Sequence, residues 1–170
     1  MKIFISYHRK DTAYRKKAEN ILRHYGIDYY AVPINKDFNG KAHQDIENFI
    51  LQHMKDCDAV LCLIGTDTYS RPHVDREIHA ALKGDISSRK GIIGVHLPCR
   101  TDDLSSLDLN TFPTKLRDNM NYVVLTRWIH LNENIKELIK VALDNAKNPK
   151  MKTNHKNPCM QLRTGKYYDN

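Results

Sequence analysis

The chain has 170 residues, 41% hydrophobic and 28% charged, with 7 Gly and 6 Pro. These proportions fit one domain with a real core and exclude disordered, collagenous and low-complexity classes. The formal charge of +7 is uneven, since residues 147–170 carry +5 and the preceding 146 residues only +2, so the basicity describes a solvated tail rather than a nucleic-acid surface.

Lys2-Ile-Phe-Ile-Ser6 is rich in β-branched and aromatic residues and predicts a buried first strand. Asp11 and Thr12 offer N-caps to a helix reaching about Tyr25, whose positions Tyr14, Ala18, Ile21, Leu22 and Tyr25 share a 3.6-period face; Gly26 stops it. Ile27–Val32 predicts a second strand, followed by loop chemistry through Pro33–Gly40. Ile46, Phe49, Ile50, His53 and Met54 mark a second helix, and Ala59–Ile64 is the clearest buried strand. A third helix is expected from about Val74 to Lys83, a fourth strand at Gly91–Leu97 and a fifth at Tyr122–Leu125. The last helix is expected from about Glu133 to Lys147, with Ile135, Leu138, Ile139, Ala142 and Ala146 on one face.

Strands alternating with helices give a parallel sheet covered on both faces, so the fold class is α/β, a doubly wound sandwich over residues 1–147 followed by a basic C-terminal tail at 148–170. Ligands of such sheets bind beyond the carboxyl ends of the strands. The longest apolar stretch, Ala59–Gly65, is far short of the roughly 20 residues that cross a bilayer, and Met1–Ser6 is too short for a secretory leader. Cys57, Cys62, Cys99 and Cys159 form no CxxC pair, which fits a reducing compartment. The expectation is a cytoplasmic protein that engages neither membrane nor nucleic acid. His73 and His79 stand six apart, a poor spacing for a shared metal on a helix, so no metal site is expected.

Ser6-Tyr-His-Arg-Lys-Asp11 has no glycine, which excludes a dinucleotide or Walker-type phosphate loop after the first strand. The informative polar cluster is Gly65-Thr-Asp-Thr-Tyr-Ser70-Arg-Pro-His-Val-Asp-Arg-Glu77. Its spacing lets Ser70, His73 and Glu77 lie on one side of a helix start. The plain alternative makes Ser70 a cap, His73 an exposed helix-start residue and Glu77 a solvated carboxylate.

Phe4-Ile-Ser-Tyr7 with Asp11 resembles the first box of TIR domains, and Ser70-x-x-His73-Val74-x-x-Glu77-Ile78 resembles their third-helix motif, where His73 replaces the usual Trp. The match is closer to the TIR-like proteins of bacterial Thoeris antiphage systems, through Ser70–Ile78, Lys90–Pro98 and Pro113-x-x-Leu116-x-Asp118-Asn119 in that order. The resemblance spans roughly residues 2–146 and implies a flavodoxin-like fold with a five-stranded sheet. It also implies cleavage of the nicotinamide–ribose bond of NAD+, which serves as substrate, with no cofactor.

By that resemblance Glu77 is the catalytic carboxylate, and Ser6, Tyr7, Arg9, Asn35, Phe38, Ser70 and His73 contribute to substrate binding. The neutral nicotinamide leaving group needs no general acid, so one carboxylate suffices where glycosidases use two. The same resemblance implies a phage-derived trigger and a diffusible ADP-ribose-derived signal, cyclic in the expected form, that activates a separate effector. It further implies assembly of copies through the 32–40 loop. Two alternatives stay open: a non-catalytic TIR interaction module, in which Glu77 is replaceable, and a nucleoside glycosyltransferase-like enzyme, which ignores NAD+.

Overall fold

The computed structural model describes residues 1–33, 43–83, 85–102, 105 and 107–155. Five parallel strands, β1 (Lys2–Ser6), β2 (Asp28–Ala31), β3 (Ala59–Ile64), β4 (Gly91–His96) and β5 (Val124–Arg127), form one sheet in the order β2-β1-β3-β4-β5. Helices α1 (Thr12–His24), α2 (His43–Met54), α3 (Pro72–Leu82), the short α4 (Thr114–Arg117) and α5 (Trp128–Lys147) supply the connections. The chain steps outward from β1 to β2 and then crosses back past β1 to β3, which places the topological switch point at the carboxyl ends of β1 and β3.

The period-2 alternation of each strand divides the core into two layers. Phe4, Val60, Cys62, Ile64 and Ile92 face α2, α3 and α4, meeting Ile46, Ile50, Val74, Ile78 and Leu116. Ile3, Ile5, Leu61, Leu63, Ile93 and Val95 face α1 and α5, meeting Leu22, Leu131, Ile135 and Ile139. The residues of β3 and β4 are buried throughout, as strands covered on both faces must be.

Gly26 ends α1 as expected. Its φ of +66° lets Gly26 N–H reach Arg23 O at 3.1 Å and Ile27 N–H reach Leu22 O at 2.9 Å, the paired bonds of a Schellman stop. At the other end of α1, Asp11 holds the N-cap position but its side chain makes no capping bond, whereas Thr12 Oγ1 donates to Arg9 O at 2.6 Å.

Two elements near the C-terminus depart from expectation. The fifth strand lies at Val124–Arg127 rather than Tyr122–Leu125, because Tyr122 closes a turn, with its N–H on Asn119 O, and points its fully buried ring into the core, its hydroxyl donating to Lys90 O at 2.6 Å. The last helix begins at Trp128 rather than Glu133, following β5 without a loop; the Trp128 indole packs edge-on against Tyr14 of α1 at 5.0 Å.

Beyond α5, residues 148–155 return across the domain. Arg89 gathers the carbonyl oxygens of Ala146, Asn148 and Met151, each at 2.6 Å. Further along, Asn154 N–H donates to Asn119 Oδ1 at 2.6 Å, and His79 Nε2 donates to His155 O at 3.0 Å. Among the described residues no helix is long and apolar enough to cross a membrane.

Candidate active site

β1 ends at the switch point with Ser6, which pairs in register with Cys62 of β3. Both side chains are fully buried and turned toward α3, the parity they share with Phe4. α3 starts with Pro72 at its first turn, where the missing N–H costs nothing and the fixed φ suits the helix. Val74, Ile78, Ala81 and Leu82 fasten it to the sheet. Glu77, between these apolar anchors, is carried inward to the end of β1.

Ser6 Oγ donates to Glu77 Oε2 at 2.5 Å across 71 residues of sequence. Glu77 is only 7% exposed, and no cationic side chain among the described residues pairs with it. Burial therefore drives its carboxyl up to about 8, with the Ser6 hydroxyl pulling in the opposite direction. The solvated-carboxylate alternative does not describe this residue. A carboxyl that titrates near neutrality can exchange a proton with a reactant or ionise when a cation arrives beside it.

Around it stand groups that stay neutral near pH 7. Tyr7 is half-buried, its hydroxyl donating to Val32 O at 3.0 Å; burial raises its hydroxyl, Arg15 opposes that, and the Glu77 charge adds to it. Tyr30 of β2 is raised by burial and then by Glu77, and it stacks on His53 of α2 at 4.4 Å. Burial pushes the Cys62 thiol far up, and the Glu77 charge adds to the rise.

The structure brings Ser6 and Glu77 into contact and sets Tyr7 beside them. His73 lies half-buried in the first turn of α3, one turn before Glu77. Ser70 is apart from this group: it is exposed in a 3-10 turn ahead of α3, donates to Asp67 O at 3.0 Å, and leaves the N-cap of α3 to Arg71. Arg9 is exposed in the turn after β1. Asn35 and Phe38 lie outside the described residues. Sequence reasoning did not place Cys62 or Tyr30 at the site, although aligning the ends of β1, β2 and β3 would have brought both there. Among the described residues no group of three His, Cys, Asp or Glu side chains could hold a metal ion.

Residues 4–102 match the family model of the Thoeris protein ThsB, TIR-like domain. Among solved structures the chain is similar to the TIR domains in the activated Roq1 resistosome directly recognizing the pathogen effector XopQ, at 13% identity and a TM-score of 0.48, covering 85% of this chain and 82% of that one. No curated protein matches the chain.

Proposed function

The chain belongs to the Thoeris ThsB family of TIR-like domains, and from that membership we propose that it is an NAD+-processing enzyme of antiphage defence that breaks the nicotinamide–ribose bond. The observation that supports this reading most is the buried Glu77 carboxyl, paired with no cationic side chain among the described residues and held by Ser6 at the switch point.

NAD+ supplies a positive charge that no described side chain gives Glu77. Its pyridinium, placed beside Glu77, favours the ionised carboxylate that burial otherwise disfavours. When the C1′–N bond breaks, the electron pair leaves with nitrogen, nicotinamide departs neutral, and positive charge develops on the ribose ring. Glu77 stabilises that oxocarbenium charge, most strongly where water is excluded. Attack on C1′ by water then gives ADP-ribose, whereas attack by a nucleophile of the same ADP-ribosyl group gives a cyclic product; either route releases one proton. Tyr7, with Arg9 at the rim and His73 one turn before Glu77, forms the substrate contacts in this reading, together with Asn35 and Phe38 of the 32–40 segment, through which copies assemble. A cyclic product made on phage infection acts as the diffusible signal to a separate effector in the cytoplasm.

The test is mass spectrometry of NAD+ and ADP-ribose-containing products in phage-challenged cells expressing the wild type or Glu77→Gln. A product formed by the wild type and missing with the variant supports the enzyme. Unchanged NAD+ and nucleotides with both, while either still protects the cells, favours an interaction module.

A further inference from the structure

Ser6 is an unusual group to find at a ligand site. It is fully buried at the end of a central strand, and its hydroxyl is directed at Glu77 rather than at open space. A hydroxyl has one proton to donate. The neighbour across the ladder, Cys62, also meets the Ser6 hydroxyl, but burial keeps its thiol protonated and without charge, so it is the weaker acceptor for that proton. Tyr7 from the loop after β1 and Tyr30 from β2, which also feel the Glu77 charge, are likewise acids raised by burial and are neutral over the working range. Among the described residues, then, Ser6 is the hydrogen-bond donor that Glu77 has.

We propose that Ser6 is the positioning residue of Glu77: walled in by the sheet, it holds Oε2 and stabilises the ionised carboxylate without touching substrate itself. This deepens the reading of Glu77 as the catalytic group and rests on it for its enzymatic consequence. A hydroxyl donating to a carboxylate favours the charged form, whereas a methyl in its place leaves the buried charge with desolvation alone. Ser6→Ala is close to isosteric, so the strand and its neighbours keep their packing while the donor is lost.

The experiment is a pH titration of the full chain labelled with 13C at the glutamate carboxyls, in the wild type and in Ser6→Ala. The resonance that disappears in Glu77→Gln identifies Glu77. The expected result is a Glu77 midpoint well above the ordinary glutamate range in the wild type, moving up by about one further pH unit in Ser6→Ala. An unmoved midpoint in Ser6→Ala overturns the proposal. NAD+ turnover supplies the second readout. Below the midpoint, kcat/KM of Ser6→Ala falls about tenfold, and the defect vanishes above the variant's own midpoint. A loss of equal size at every pH shows a merely structural role and also overturns it. Should the midpoint move as expected while neither protein consumes NAD+, the role of Ser6 stands and the enzymatic reading of the site fails.

Discussion

Asp11 lies so close over Gly65 that a Cβ on the glycine would press on both of its carboxylate oxygens, well inside 3.0 Å. The loop after β3 is thereby fitted to the turn after β1, and Thr68 joins them: Gly65 N–H donates to Thr68 Oγ1 at 2.9 Å, and that hydroxyl donates to Asp11 at 3.4 Å. Gly65→Ala is expected to destabilise the protein by about 1–3 kcal/mol. Combined with Asp11→Ala it should cost less than the sum of the two single changes, because the crowding disappears. A double-mutant cycle in denaturant measures this, and strict additivity would show that the contact is not the source.

Glu77 makes stability depend on pH in a stated direction. Its folded value of about 8 lies above the ordinary glutamate value of 4.5, so between those limits the folded state holds a proton that the unfolded state has lost. Stability from this group is complete below 4.5 and drains away as pH rises to about 8. At about 1.4 kcal/mol per unit the loss is on the order of 5 kcal/mol. Glu77→Gln, which has nothing to ionise, is expected to match the wild type near pH 5 and to melt progressively higher than it toward pH 8. Parallel melting curves across that range would contradict the buried titration.

Arg89 is a cap made by a residue far away in sequence. It neutralises the carbonyl end of α5 and holds the segment that follows, while lying 5.4 Å from the Tyr122 ring centroid. Arg89→Met is expected to cost about 2–3 kcal/mol. Arg89→Lys should recover little of it, since an ammonium cannot offer the guanidinium fork. Chemical denaturation of the two variants compares them directly.

Asn119, fully buried, donates to Lys115 O at 2.7 Å and accepts from Asn154 N–H at 2.6 Å. Asn119→Ala removes the anchor that pins the returning segment to α4. Amide exchange over residues 150–155 is then expected to quicken by at least about tenfold while the strands keep their protection, with a stability loss of about 1–3 kcal/mol. Unchanged exchange there would mean that His79 and Arg89 hold the segment without it.

The sheet was legible because its strands are buried on both faces, and runs such as Ala59–Ile64 carry that signature openly. β5 was misplaced because Tyr122 and Val123 are apolar for another reason: they fill the core from a turn. The early start of α5 had a signal, Leu131 one turn before Ile135, but the polar residues between them hid it. Spacing and the family motif singled out Glu77 as a candidate. Its burial was not readable, because helical phase alone does not say which flank of α3 meets the end of β1. The polar group of Asp75, Lys115 and Asn119, all fully buried, was missed for the same reason. Asp75 accepts the Lys115 N–H at 2.6 Å, a pairing that exists only once α3 and α4 have docked.

Ser6 and Glu77 stand 71 positions apart in sequence, so their pairing waits until the fold has formed. On the ribosome, or in any partly assembled state, Glu77 is an ordinary solvated carboxyl, and the serine that steadies it is a stretch of extended chain with no partner. Only the joining of β1, β3 and α3 into one body gives the carboxyl its altered acidity. The acidity of Glu77 is thus a property that the chain acquires only on finishing its fold, a late product of assembly rather than of local sequence.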